Sequence, residues 1–572
     1  MTRSTILLVK RTFVFVIFWF ILNLIQSFFT EIIDDEAYYW VYSQALEWGY
    51  FDHPPMIALL IRLGSSLVPG ALGVRLLPSL LGAATIFLIF QMLKDSVRDQ
   101  RLLMLAIFSI PLFHSHVAGF IATPDLPLVF FATLFFFFYK RYLSSESPLN
   151  IVFLGLSIAL MLYSKYHGFL VIGFTILSNP KILLRRSFWL IVTLSTLLYL
   201  PHILWQIKHD FVSFGYHLID RNNPFQVKYI IEYIGNQWLL MGPLCGIIFF
   251  YLSTTHKTTN RFDAALKFNF LGFFLFFLFS SLRGHVEPHW TAVALVPLLM
   301  LSVQDIDKNV KLRKWFYVLG YATIPLVIFA RLVLIVEFDI LPEKVRHRFY
   351  NKEAFFNEVQ KEANGRTVVF ENSFQKASLY WFFTGEPAFS QNNINYRKNH
   401  YDLIDMEANL EGENILYFPG TAFPGCDTLG TVFGNVPIHN TEYFCHFNRV
   451  EINLPQINWE FKGGEKVQID IELINPTSEA IYFSDLCTHK TELIYTIYAE
   501  EGGKVSYIAK SPRPLPGLVS GEVTTFPVDI TIPDKAGKYQ LMFSLGTKEL
   551  PPGINGRAIT MIVHARSKKS SM

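Results

Sequence analysis

Apolar residues run through the first 336 positions in long blocks separated by short polar interruptions. Wound as helices, blocks near twenty residues match the thickness of a bilayer core. They predict spans at roughly 12–30, 73–93, 102–122, 126–139, 151–164, 168–183, 188–206, 229–252, 268–282, 290–303 and 315–336, about eleven in all. The piece Met56–Leu63 is too short to cross and is expected as a helix lying at the interface. Basic residues fall in alternate gaps: Lys94/Arg98/Arg101, Lys140/Arg141, Lys181/Arg185/Arg186, Lys257/Arg261/Lys267 and Lys308/Lys311/Arg313/Lys314. By the positive-inside rule these gaps are cytoplasmic, with Arg3, Lys10 and Arg11 on the same side. The segments 31–72, 123–125, 165–167, 207–228 and 283–289, and everything after 337, are then expected outside.

Beyond 337 the pattern shortens. Residues 338–448 alternate helical and strand-like pieces such as Thr367–Phe370 and Asn414–Phe418. From 449 only strands and turns remain: Val467–Ile474 alternates with period two, Glu492–Tyr498 is rich in β-formers, and Gly537–Leu545 reads as a strand. The expected fold is a polytopic α-helical membrane domain (1–336), an extracytoplasmic α/β domain (337–448), an Ig-like β-sandwich (449–566) and a disordered tail (567–572).

Composition agrees with this layout and removes some functions. Half of the 572 residues are hydrophobic (51%), and the formal net charge of +3 gives nucleic-acid binding no electrostatic support. Cys245, Cys426, Cys445 and Cys487 lack zinc spacing and are too few for a disulfide scaffold, although Cys426 and Cys445 could pair outside the cell. Lys10 and Arg11 precede an apolar core as in a signal peptide. No small-residue cleavage site follows, so an uncleaved first span is expected.

Polar chemistry gathers in the outer segments. Asp34, Asp35 and Glu36 follow the first span directly, and Asp52, His53, Pro54 and Pro55 come soon after, with aromatics between. Thr123-Pro124-Asp125, Ser164-Lys165-Tyr166-His167-Gly168 and Arg283-Gly284-His285-Val286-Glu287-Pro288-His289-Trp290 occupy turns too short to leave the membrane surface. Charge placed there is costly unless solvated or used. Bland readings stand beside the functional one. Asp125 would cap the following helix, Lys165 would snorkel to headgroups, and His114 and His116 would be hydrogen-bonded bundle residues. His285 and His289 have the i,i+4 spacing of a metal pair, which Pro288 disfavours. Cations at an outer surface (Lys165, Arg283, and also Arg75 and Arg331) suit an anionic lipid headgroup. An acid among them suits a general base for an acceptor hydroxyl, with the cations stabilising charge on a leaving phosphate. The competing classes are a lipid-linked glycan transporter or flippase, which would place ionisable residues near the midplane of two related halves, and a membrane-anchored binding protein.

The ordered motifs Asp35-Glu36-Ala37-Tyr38-Tyr39-Trp40, Gly49-Tyr50-Phe51-Asp52-His53-Pro54-Pro55, Thr123-Pro124-Asp125, Ser164-Lys165-Tyr166 and Val286-Glu287-Pro288-His289-Trp290 resemble the membrane-integral C-type (GT-C) glycosyltransferases. More narrowly, they resemble the bacterial branch of the protein O-mannosyltransferase family that includes aminoarabinose transferases acting on lipid A. The resemblance covers residues 1–335 and extends to Ala377–Gly385 and Tyr396–Asp402. It implies a polyprenyl-phosphate-sugar donor and inverting transfer to lipid A, a glycan or a protein hydroxyl on the outer face of the inner membrane. It implies catalytic roles for Asp35, Glu36 and Asp125 and a donor-phosphate contact for Lys165. Asp52, His53, Tyr166, Arg283, His285, Glu287 and His289 are the expected substrate-binding residues. His53 stands where aminoarabinose transferases usually carry Lys, so their sugar and acceptor are not carried over. A phosphate acceptor with a second pKa near 6 hardly needs a base, whereas a hydroxyl does. Whether a divalent cation takes part is left open by the residues themselves.

Overall fold

A computed structural model describes residues 3–565 except Lys94, Arg98, 218–224, Asp405, His446, 455–458, 478–479, 484–490, 500–503, Lys510, 512–513 and 548–549. The tail 567–572 and Cys487 therefore lie outside the described residues. The chain divides into two compact units, 1–352 and 353–572. This sets the boundary later than the 336 expected and groups the α/β and β-rich parts together.

The first unit is helical: α1 (Arg3–Phe29), α2 (Asp34–Gln44), α3 (Met56–Leu67), α4 (Gly70–Leu93), α5 (Gln100–Phe108), α6 (Asp125–Ser144), α7 (Pro148–Ser164), α8 (Gly168–Ser178), α9 (Arg186–Lys208), α10 (Val212–Gly215), α11 (Val227–Met241), α12 (Gly246–Thr255), α13 (Arg261–Ser280), α14 (Ala292–Lys308), α15 (Val310–Val333) and α16 (Glu343–Phe349). Among the described residues seven helices are long and apolar enough to cross a membrane, or eight if the bent pair α11–α12 forms one span. This is a multi-pass membrane protein with fewer long spans than the apolar blocks suggested.

The difference has local causes. The block at 102–122 is helical only to Phe108, because Pro111 forces Ile110 into an extended conformation (φ −100°, ψ 107°) and a short 3₁₀ turn follows. The block at 229–252 bends by 96°. Gly242 adopts a left-handed φ of 122° there, and Pro243 follows. The blocks at 151–164 and 168–183 become the short helices α7 and α8, parted by Lys165, Tyr166 and His167. The piece at Met56–Leu63 is helical and runs on to Leu67 as the 12-residue α3, which buries Met56, Ile57, Ala58, Ile61 and Gly64 along one face.

The second unit contains α17 (which begins at Lys352 and ends at Ala363), α18 (Phe374–Thr384) and two β regions. Strands β1 (Thr367–Glu371), β2 (Ala388–Gln391), β3 (Ile415–Phe418), β4 (Asp427–Thr431) and β5 (Gly434–Thr441) form one sheet in the order β2-β1-β3-β5-β4. Its centre is parallel, with Val369 opposite both Phe389 and Tyr417. Later strands form a five-stranded and a three-stranded sheet. In the smaller one, Val523–Thr531 pairs antiparallel with Lys466–Ile474. Their alternating Phe526, Val528, Ile530 and Ile469, Ile471, Leu473 enter one core with Tyr495, Leu541 and Phe543 of the larger sheet. Cys445 is disulfide-bonded while Cys426 is a free thiol, so the Cys426–Cys445 pair allowed by the sequence is not formed.

Candidate active site

Three carboxylates open α2 because a helix N-terminus favours negative charge. They diverge in use. Glu36 points inward, is fully buried, and accepts from its own N-cap Ile33 N–H (3.0 Å) and from Ala122 N–H (2.8 Å). Arg75 of α4 donates through Nε to its Oε1 (2.8 Å) and through Nη2 to its Oε2. The same guanidinium donates to Ser27 O (3.1 Å), Thr30 O (2.7 Å) and Glu31 O (2.9 Å). Burial opposes ionisation of Glu36, but Arg75 and the two backbone N–H groups outweigh it and hold the carboxyl below its ordinary range. This buried pair ties the end of α1, α2, α4 and the 115–124 segment into one frame.

Asp35, one residue earlier, is open to solvent and makes no hydrogen bond or ion pair among the described residues. It stands in a recess crowded by protein. Lost solvation there, reinforced by Asp34, Asp52 and Glu287 and opposed by Arg348, lifts its carboxyl to about 6. Water reaching the group screens part of this effect. Asp34 faces Lys352, whose Nζ lies 3.8 Å from its Oδ1.

Asp125 and Lys165 form a second buried pair, with Lys165 Nζ 2.8 Å from both carboxylate oxygens. Asp125 is the first residue of α6 but caps nothing with its side chain, so the capping alternative is not realised. Lys165 is likewise turned into the protein, not out toward headgroups. His289 Nε2 lies 3.5 Å from Asp125 Oδ2, and His116 stacks on His289 with centroids 4.6 Å apart.

The 49–55 loop is held against this centre from behind. Tyr42 donates to Asp52, and the Tyr42 and Tyr50 rings stack at 4.2 Å. His53 is buried 5.6 Å from the Tyr39 ring, and its Nδ1 has no hydrogen bond among the described residues. Burial pushes its pKa down to about 3, so the imidazole is neutral near pH 7. On the far side, Tyr166 Oη accepts from Gln206 Nε2 (2.9 Å) and meets His202 Nε2 at 3.1 Å. Gln206 also donates to Ser213 Oγ (2.8 Å), and Ser213 donates to Tyr50 O (3.0 Å).

Lys165, Tyr166 and His167 continue into a cavity of about 720 Å³ that Arg283, His285 and His217 line together with Phe276, Phe277, Phe279 and Trp290. Its lining combines cationic with aromatic side chains. His285 diverges from His289 toward Glu232 (3.3 Å) and Glu287 (3.8 Å), so the two do not form a metal pair. Among the described residues no group of three or more His, Cys, Asp or Glu is arranged to hold a metal.

Two cations assigned by sequence to headgroup binding are committed elsewhere. Arg75 serves Glu36, and Arg331 is buried against Asn23, Gln26, Leu22 O and His114. His114 also bonds Phe108 O at 2.9 Å, which makes it a bundle residue. Sequence reasoning missed His217, whose Nε2 lies 2.8 Å from Asp52 O, and missed His202, Gln206 and Arg348. An ionisable residue inside an apolar block, as at His202, was the available signal.

Residues 52–205 match the family described as dolichyl-phosphate-mannose-protein mannosyltransferase. The lipid A galacturonosyltransferase RgtD of Rhizobium johnstonii is 26% identical over 187 residues, 32% of this chain and 40% of that protein. The chain thus spans less than half the length of this curated relative. The crystal structure of ArnT from Cupriavidus metallidurans in the apo state superposes with a TM-score of 0.54 at 11% identity, covering 76% of this chain and 97% of that one. The ArnT structure bound to undecaprenyl phosphate gives 0.51 at 12% identity with the same coverage. The fold is that of the C-type glycosyltransferases. The family match and the curated relative support a glycosyltransferase of that class, and the solved structures show the fold.

Proposed function

We propose that the chain transfers a sugar from a polyprenyl-phosphate donor to a hydroxyl of an envelope acceptor (lipid A, a glycan or a protein) on the outer face of the inner membrane. Asp35 accepts the proton of the acceptor hydroxyl as its oxygen attacks the anomeric carbon. The bond from that carbon to the phosphate oxygen breaks on the opposite side, with inversion, and polyprenyl phosphate leaves. Lys165, with Arg283 lining the same cavity, stabilises the charge that grows on the phosphate, and the aromatic side chains of its lining receive the first isoprene units. Asp125, which His289 also approaches, holds Lys165, and the Asp52, His53 and Tyr166 loops shape the sugar pocket. Glu287 and His285 border the acceptor side, and Glu36 positions Asp35 without touching substrate.

The observation that carries this reading is the division of labour among the carboxylates. Glu36 and Asp125 are locked in buried ion pairs, while Asp35 is open, makes no hydrogen bond or ion pair among the described residues, and has an upward-shifted pKa. The experiment is mass spectrometry of lipid A, glycans and proteins from a strain lacking the gene, followed by transfer in vitro. One envelope component should lose a sugar in the deletion strain, and purified protein should restore it from a polyprenyl-phosphate-sugar. No missing sugar in any fraction would overturn the proposal.

Two further outcomes are expected. Lys165→Ala alone would strand a buried carboxylate and cost about 3–5 kcal/mol of stability, so the informative variant is Lys165→Met with Asp125→Asn. It should keep its thermal midpoint yet need at least about 10-fold more donor, as loss of a charge-assisted phosphate contact implies. Undiminished donor affinity would assign the pair to structure alone. For topology, a reporter active only outside the cytoplasm, fused after Asn351, should be on. A stable but silent fusion would put Asp35 on the wrong side for this chemistry.

A further inference from the structure

A second cavity, of about 990 Å³, lies between α1, α5 and α15. It is remote from Asp35. The apolar span of α1 begins at Lys10, on the wall of this groove, and ends at Phe29, five residues before α2. At 1.5 Å per residue the two ends are about 30 Å apart, the thickness of a bilayer core. The groove therefore opens at the membrane face opposite the carboxylate.

Its chemistry is layered. Lys10 and Arg11 of α1 and Arg101 of α5 stand at the polar rim, and none makes an ion pair among the described residues. The single acid there, Asp99, is already engaged, accepting from Tyr317 Oη (2.6 Å) and from Arg101 N–H (3.1 Å). Below the rim the walls are apolar, with Phe15, Phe18 and Met104, while Tyr317 and Tyr321 stack at 5.9 Å. Only 28% of the apolar window of α1, and the same share of α15, is buried in the protein, so both flanks of the groove face lipid.

We propose that this groove binds an anionic phospholipid of the bilayer, its phosphate at Lys10, Arg11 and Arg101 and its acyl chains along Phe15, Phe18 and Met104. Three cations against one carboxylate leave a net positive rim over a greasy slot, which selects negative charge on a lipid, since a zwitterionic headgroup would bring its own cation against them. Rim charges of this kind contribute through close electrostatics at the membrane surface. A diacyl lipid is favoured over the polyprenyl phosphate because the reacting phosphate is needed at the other end of the domain. That choice of occupant rests on the proposed reaction, whereas the preference of the groove for an anionic lipid does not.

The test is native mass spectrometry of the full-length protein in detergent, delipidated and titrated with phosphatidylglycerol, phosphatidylethanolamine or undecaprenyl phosphate. Phosphatidylglycerol should bind more tightly than phosphatidylethanolamine. Arg101→Gln keeps Lys10 and Arg11, and with them the orientation signal, and should weaken phosphatidylglycerol about 5-fold. Asp99→Asn retains a cap and an acceptor for Tyr317 but removes the only negative charge, so it should tighten phosphatidylglycerol by a similar factor. Neither change should move phosphatidylethanolamine. Equal shifts for both phospholipids, or no shift in either variant, would overturn the proposal. So would displacement of phosphatidylglycerol by undecaprenyl phosphate in a manner sensitive to Arg101, which would make the carrier the occupant.

Discussion

Asp35→Asn is expected to lower the transfer rate by about 10²–10⁴-fold, the range typical of a lost general base, while the protein inserts and unfolds like the parent. The amide keeps the size of the side chain but cannot accept a proton at neutral pH. Because Asp35 has no hydrogen-bond partner among the described residues, the substitution disturbs no framework. Asp34→Asn, beside it on the same first turn of α2 and facing Lys352, should cost far less. The pH profile provides an independent check. A base whose pKa is raised is competent only when ionised, so the parent's rate should fall as pH drops through about 6, and the residual rate of Asp35→Asn should lack that limb. A fully active Asp35→Asn would remove this carboxylate from the chemistry and turn attention to Glu287, which is also solvent-exposed at the site.

Which charged residues gather at the candidate site was largely legible in the chain. Asp35, Asp125 and Lys165 declare themselves because charge beside an apolar block needs a reason, and the turns carrying them are too short to leave the surface. What each charge does was not legible, because partners decide it. Arg75 and Glu36 are 39 residues apart, and Arg331 and Asn23 are 308 apart. A free cation and a buried, committed one look identical in sequence. The same limit applies to the spans. Mean hydropathy sees a continuous block at 102–122, but Pro111 ends the helix after two turns, and the freed segment delivers Ala122 N–H to Glu36 and His116 to His289. In the second unit, alternation sufficed to mark strands such as Lys466–Ile474, whereas their division between two sheets depends on long-range pairing.

Glu36 is where motif and structure assign different work, and stability separates the two. Glu36→Gln keeps an acceptor for Ala122 N–H but leaves the Arg75 guanidinium buried without its counter-charge. Breaking a buried pair in this way costs about 3–5 kcal/mol, so the thermal midpoint in detergent should fall steeply, and any loss of transfer should follow the loss of folded protein. Arg75→Gln should be at least as damaging, since three backbone carbonyls at the end of α1 lose their donor as well. The double variant, Glu36→Gln with Arg75→Gln, removes both charges together. It should be less destabilised than the two singles summed, by about 0.5–3 kcal/mol of coupling. If Glu36 instead acts on substrate, Glu36→Gln will unfold like the parent and lose turnover, and adding Arg75→Gln will recover nothing. A stable, inactive Glu36→Gln would thus move the proton acceptor from Asp35 to its neighbour, and a fully buried carboxylate would have to become exposed for the reaction to occur.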